Sequence, residues 1–262
     1  MIFESHAHYD DEVFDADREE LLASLADHGI GTVVNIGASL AGSEATVRLA
    51  ERYPFIYGAV GVHPGEVTEL TEEGMARLRS LCGHEKVVAV GETGLDYHYP
   101  EPDAALQKEW FERQLELARE VKLPVIIHSR EAAKDTLDIM KACRAGEIGG
   151  VVHCFSYTKE MAREYLNMDY YFGIGGVITF KNAKKLKEAV QYIPMDRILL
   201  ETDSPYLSPE PHRGERNSSL NLSYVVSAIS ELKGISCEEV EESTERNAKK
   251  LFNLTAQTAQ PD

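Results

Sequence analysis

The chain has 262 residues, 43% of them hydrophobic and 27% charged, an ordinary globular balance that excludes wholesale disorder and any fibrous or collagen-like chain. A chain of this length buries a large core without disulfide staples. Its 44 acidic and 27 basic residues leave a formal charge of −17, which argues against non-specific coating of duplex DNA or of an anionic membrane, but not against a locally positive or metal-containing pocket.

The opening Met1-Ile2-Phe3-Glu4-Ser5-His6 has no basic n-region and no apolar h-region, so it reads as the start of the fold. A strand is predicted at Ile2–Ser5, a helix around Leu21, Leu22 and Leu25, and strands at Thr32–Ile36, Ile56–Val62 and Val87–Gly91. From Ala104 to Val121, residues Leu106, Trp110, Phe111, Leu115, Leu117, Ala118 and Val121 follow helical spacing, and Pro124 stops any continuation. Strands are expected at Val125–His128 and Gly150–His153, a helix around Met161, Tyr165 and Leu166, and strands at Tyr170–Ile174 and Ile198–Glu201. Two helices near Leu222–Leu232 and Glu238–Leu251 complete one domain, residues 1–254, and 255–262 read as a loose C-terminal tail.

Eight apolar runs alternating with helical patterns predict an α/β fold, a (β/α)8 TIM barrel. The rival is an open doubly wound sheet. It normally has fewer strands, and its glycine fingerprint is missing: Gly173-Ile174-Gly175-Gly176 reads as a tight strand-to-loop turn. No apolar run approaches the roughly 18 residues of a membrane helix. The four cysteines, Cys82, Cys143, Cys154 and Cys237, form no C-x-x-C pair, which predicts reduced thiols in a cytoplasmic protein.

Polar residues collect where the strands end: His6-Ala7-His8, Gly61-Val62-His63-Pro64, Gly91-Glu92-Thr93-Gly94, His128-Ser129-Arg130, His153-Cys154 and Glu201-Thr202-Asp203. Side chains alternate along a strand, so His6 and His8 face the same way. Any one of these residues has an ordinary reading as a hydrogen-bonded histidine or a helix-capping carboxylate. Together they stand at the face where barrel active sites are built, where buried imidazoles and charges are costly without a cation. Imidazoles with carboxylates suit Zn, Mn, Fe or Ni, whereas Mg prefers oxygen ligands. The set is too large for one tetrahedral ion. It predicts two divalent cations with Glu92 as the natural bridge, a dinuclear site able to acidify a shared water.

Longer stretches carry a family resemblance: Glu4-Ser5-His6-Ala7-His8, Gly91-Glu92-Thr93-Gly94-Leu95-Asp96-Tyr97, Pro124-Val125-Ile126-Ile127-His128-Ser129-Arg130, His153-Cys154-Phe155-Ser156, Glu201-Thr202-Asp203-Ser204-Pro205-Tyr206-Leu207 and Pro211-His212-Arg213-Gly214. In these, and in order along nearly the whole chain, the sequence resembles the TatD-type metal-dependent deoxyribonucleases of the amidohydrolase superfamily. The resemblance implies a first metal held by His6, His8, Glu92 and Asp203, and a second held by Glu92, His128 and His153. It places His63, Arg130 and Arg213 near the substrate phosphate. Asp203 would also orient the attacking water and take its proton, so Asp203 and Glu92 are the catalytic residues. DNA, single-stranded or at strand ends, is the implied substrate, cleaved as by an exodeoxyribonuclease, and a monomer is expected. Metal identity stays open among Mg, Mn, Zn, Fe and Ni.

Two departures from the family pattern stand out. Glu4 replaces the usual Asp, for which a supporting role is expected. Asn217-Ser218-Ser219 lacks the usual proline, which bears on loop shape. Lys181, Lys184, Lys185 and Lys187 read as a solvated helix face, although phosphate sites are often built there. His98 and Tyr99 either line a groove for a base or are ordinary loop residues. His28 reads as a helix C-terminal interaction, and Cys154 should point away from His153, into packing. The same motifs serve a hydrolase of a small ester, amide, lactone or aminoacyl ester, and the third reading is an inactive metal-binding scaffold.

Overall fold

The computed structural model describes residues 1–254, and the expected tail at 255–262 lies outside the described residues. Eight strands pair in chain order, β1 (Ile2–Ala7), β2 (Ile30–Ile36), β3 (Ile56–Val60), β4 (Val87–Asp96), β5 (Val125–Arg130), β6 (Gly150–Val152), β7 (Tyr171–Ile174) and β8 (Ile198–Leu200). Each pairing along the order is parallel. The helices between and after them are α1 (Arg18–Ser24), α2 (Leu40–Arg52), α3 (Glu72–Leu81), α4 (Ala104–Val121), α5 (Ala133–Ala142), α6 (Lys159–Leu166), α7 (Lys184–Tyr192), α8 (Leu222–Lys233) and α9 (Cys237–Leu251). This is the predicted TIM barrel.

The last seam closes beyond the end of β8. Ala7 bridges Ser204, His8 N donates to Ser204 O at 2.8 Å, and Asp203 N donates to His6 O at 2.9 Å. Glu4, fully buried, reinforces it. Its Oε1 accepts from the backbone N–H of His6 and Thr202, and its Oε2 from the hydroxyls of Thr202 and Ser219. Four donors are what an acceptor-only carboxylate needs when water is excluded.

One apolar cluster draws on all eight strands, through Phe3, Val34, Ala59, Val88, Ile126, Val151, Tyr171 and Leu199. Only the barrel interior lets all eight meet. Phe252, just past α9, stacks on Phe3 with ring centroids 6.0 Å apart and plugs the bottom. Two residues further along the same strand faces stand His128, His153 and Glu201, so the apolar layer is the floor of the polar one above it.

Several boundaries differ from expectation. β4 continues through Glu92-Thr93-Gly94 to Asp96, whereas β3 and β6 stop early, so His63 and His153 stand beyond their strands. Helices α2, α3, α5 and the apolar face of α7 escaped the sequence reading, although α5 buries Leu137, Ile139 and Met140 and α7 buries Leu186, Ala189 and Val190. α2 buries Ser43 and Thr46, each satisfied by side-chain hydrogen bonds, next to Val47 and Ala50. The Gly173–Gly176 run is not a positive-φ turn. Gly173 and Ile174 belong to β7, and a Cβ on Gly176 would meet Leu207 O at 2.2 Å. These glycines permit close approach. No helix of the described residues is long and apolar enough to cross a membrane.

Candidate metal centre

β1 carries His6 and runs on to His8, β4 carries Glu92, and the loop after β8 carries Asp203. His6 Nε2 lies 3.3 Å from His8 Nε2, 3.4 Å from Glu92 Oε2 and 3.5 Å from Asp203 Oδ1. His8 Nε2 lies 3.6 Å from Glu92 Oε2 and 3.5 Å from Asp203 Oδ1. The corners of a tetrahedron around an ion bound at about 2.0–2.1 Å are about 3.3–3.4 Å apart. The four groups could therefore hold one four-coordinate cation. His8 Nδ1 lies 3.0 Å from Ile36 O and donates to it, leaving the Nε2 lone pair for the ion.

Glu92 faces two ways. The register of β4 on β5 shifts between Val90 and Thr93, a bulge of the kind that re-aims a side chain. Glu92 Oε2 meets the first group. Its Oε1 lies 2.6 Å from His128 Nδ1, 2.9 Å from His153 Nε2 and 3.7 Å from His63 Nε2. His128 Nδ1 and His153 Nε2 are 3.0 Å apart. One carboxylate thus offers one oxygen to each of two groups that could hold an ion, the arrangement a bridging ligand requires.

The charges follow from these neighbours. Burial opposes a charged His8, but Asp203 and Glu92 outweigh it and raise the ring to about 9. At His128 burial is outweighed by Asp96 and Glu92, again to about 9. Burial lowers His6 and His63 to about 4. Burial would raise Glu92 and Asp203, yet the surrounding imidazoles hold both below the usual carboxylate range.

His63 has a different role from the rings around it. Gly65 N donates to His63 Nδ1 at 2.9 Å. The neutral ring then carries its proton on Nε2, which faces the centre as a donor and not as a lone pair.

Two contributors escaped the sequence reading. Asp96 is buried at the end of β4, and its Oδ2 lies 3.2 Å from His128 Nε2. It accepts that proton and turns Nδ1 toward Glu92, the carboxylate–histidine arrangement that orients a ligand. Glu92 and Asp96 are four apart and share a strand face, but the shorter predicted strand hid this. Glu201 is buried with Oε1 3.9 Å from His153 Nδ1 and also accepts from Cys154 N. A Cβ on Gly173 would lie 1.9 Å from Glu201 Oε2, so the glycine makes room for this carboxyl.

Cys154 does not follow the expected alternation. Its φ of 45° is left-handed, because the chain leaves β6 at Val152. Burial, together with the Asp203, Glu201 and Glu92 carboxylates, raises its thiol well above the ordinary range. Asp203 is also left-handed, at φ 58°. Uncommon backbone at two adjoining positions of a polar cluster is the kind of strain that functional sites hold.

The structure brings His63 into the centre and Arg130 to its edge, with Nη1 3.9 Å from Asp96 Oδ2. Arg213 is exposed, lies over the Phe180 ring at 4.4 Å, and makes no ion pair among the described residues. Lys184 and Lys185 are exposed on α7 while Leu186, Ala189 and Val190 face the core, as a solvated face requires. His28 Nδ1 bonds Ser24 O at 2.9 Å behind α1, the expected helix-end role. Without its proline, the Asn217 segment still braces the Asp203 loop, because Asn217 Nδ2 donates to Thr202 O and Tyr206 O.

Comparison with known proteins agrees with this architecture. The family model described as "TatD related DNase" matches residues 3–253. A Bacillus subtilis (strain 168) protein, "Uncharacterized metal-dependent hydrolase YabD", is 44% identical over 97% of this chain and 100% of its own. The "3'-5' ssDNA/RNA exonuclease TatD" of Cronobacter sakazakii is 36% identical over 94% of this chain and 95% of its own. The crystal structure of YJJV, a TatD homolog from Escherichia coli K12, superposes with a TM-score of 0.91 at 30% identity, covering 96% of this chain and 98% of that one. The chain belongs to the TatD-related DNase family and is a metal-dependent hydrolase.

Proposed function

We propose that the chain is a phosphodiesterase that shortens DNA from single-stranded ends, using two divalent cations. His6, His8, Asp203 and Glu92 would hold the first ion, and Glu92, His128 and His153 the second. The observation that carries this reading is the division of Glu92, with Oε2 on one group and Oε1 on the other. Bound there, two ions would acidify a water and neutralise charge on a phosphate. The protein's own groups do the rest. Asp203 is ionised and can take the water's proton. His63 presents Nε2–H to a phosphate oxygen, where a neutral donor keeps its place as charge builds. Arg130, at the rim, pairs with the phosphate on the outer side. The name of the Cronobacter relative, a 3'-5' exonuclease of single-stranded DNA and RNA, supports the choice of substrate.

The test is hydrolysis of an end-labelled single-stranded oligonucleotide beside a panel of carboxyl esters and lactones, before and after chelation. Expected are stepwise shortening of the oligonucleotide, its loss on chelation and its return with added manganese or magnesium. Turnover of the esters alone, or full nuclease activity in protein shown by elemental analysis to be metal-free, overturns the reading.

Metal uptake should also release protons. In the metal-free protein His8 and His128 are raised to about 9. Near pH 7.5 both are charged and must deprotonate to become ligands, so filling both sites should release about two protons. Apparent affinity should then rise between pH 6.5 and 9. Calorimetry in buffers of different ionisation enthalpy reads the release, and none at pH 7.5 would contradict the assignment.

A further inference from the structure

Apart from Met1, the two most exposed large apolar side chains among the described residues are Tyr99, at 61%, and Tyr206, at 55%. Both stand at the mouth of the barrel. Tyr206 belongs to the first ligand group: its ring is edge-on to His8, centroids 6.4 Å apart. Its backbone is fixed at both ends, Tyr206 N donating to Asp203 O at 2.8 Å and Tyr206 O accepting from Asn217 Nδ2 at 2.8 Å. Tyr99 belongs to the other group. It packs against His98, centroids 4.8 Å apart, under the Arg130 guanidinium at 5.7 Å. Arg130 leads back to Asp96, and Asp96 to His128. One ring therefore extends from the His8 side of Glu92 and the other from the His128 side.

Exposed rings leave apolar area in water that a flat partner can cover, and stacking a base on an aromatic side chain is worth about 1–3 kcal/mol regardless of sequence. The acidic surface of a chain with net charge −17 offers little long-range hold on a polyanion. Affinity must come from contacts at the centre, and the rings supply contacts that do not depend on charge. We infer that Tyr206 and Tyr99 are stacking platforms for the two bases flanking the phosphodiester in the centre, so that the site takes single-stranded nucleic acid with both bases unpaired. This rests on the phosphodiesterase reading. Paired bases, stacked on their own neighbours, cannot occupy both rings. The Arg130 guanidinium beside Tyr99 adds a cation next to the stacked base and its phosphate.

The test crosses protein and substrate changes. The substrates are a single-stranded DNA oligonucleotide and two versions carrying an abasic nucleotide on one side or the other of the cleaved bond. Tyr206→Ala and Tyr99→Ala should each lower kcat/KM on the intact strand about five- to a hundredfold. Each should cost little more on the version already lacking the base that its ring holds, and the two tyrosines should pair with different abasic positions. Tyr206→Phe, which keeps the ring and loses only the hydroxyl bond to Asp11, should recover most of the loss. Full-sized losses on every abasic version, or no loss on the intact strand, overturn the platforms while the phosphodiesterase reading stands. Wild-type protein that carries its metals yet cleaves no oligonucleotide overturns both.

Discussion

Replacing Glu92 with alanine is expected to remove both metal equivalents together and to lower kcat/KM by about a thousandfold or more, the scale of losing several kcal/mol of charge stabilisation. It places one oxygen on each group: Oε2 stands 3.4 Å from His6 Nε2 and Oε1 2.6 Å from His128 Nδ1. Without them, four imidazoles lose the anion that would screen two bound cations from each other. His128→Ala is a different case, because His6, His8, Asp203 and Glu92 remain, so it should cost mainly one equivalent. Elemental analysis of gel-filtered protein distinguishes the two variants. Equal single-ion losses in both would show that Glu92 does not bridge.

Gly94→Ala is expected to disrupt the centre without touching a candidate ligand side chain. A Cβ there would lie 1.9 Å from His128 O and 2.9 Å from its carbonyl carbon, and the residue's φ is 148°. The obstacle is the backbone of β5, so no rotamer relieves it, and β4 and β5 must part where Glu92 and His128 leave them. A loss of about 3 kcal/mol or more follows from overpacking with backbone strain. For a chain of this size that lowers Tm by roughly 6–12 °C. Gly29→Ala is the control. At φ 80° with nothing within 4 Å of the added Cβ, it should cost only about 1 kcal/mol. Equal melting temperatures for the two variants would show that β4 and β5 tolerate separation.

The barrel was legible because buried parallel strands read as continuous apolar runs, and eight of them survive in the sequence between helices and turns. The candidate ligands were legible because they cluster at strand ends. What hid the rest was the assumption of ideal strands. Glu92-Thr93-Gly94 looks like a loop, yet it is bulged strand, and past it lies Asp96, which orients His128. Alternation sent Cys154 away from the centre, but alternation stops where φ turns positive. Arg213 matched a motif whose location depends on a loop path, and that path lays it over Phe180. The buried face of α2 mixes Ser43 and Thr46 with Val47 and Ala50, and its polar positions could be placed only once their partners were known.

The seam between β1 and the segment after β8 also sets a time. His8 and Asp203 stand 3.5 Å apart across it, and Glu4 is tied there to Thr202 and Ser219. On a ribosome adding about 5–20 residues per second, His8 is made roughly 10–40 s before Asp203. Through that interval the His6–His8 pair has no carboxylate from the far end of the chain, and Glu4 lacks three of its four donors. The first ligand group is therefore assembled only after translation has passed residue 203. A cation held there would be taken up by a nearly finished chain from whatever metal the surroundings then supply, and starving cells of one metal during expression should then change the metal content of the purified protein.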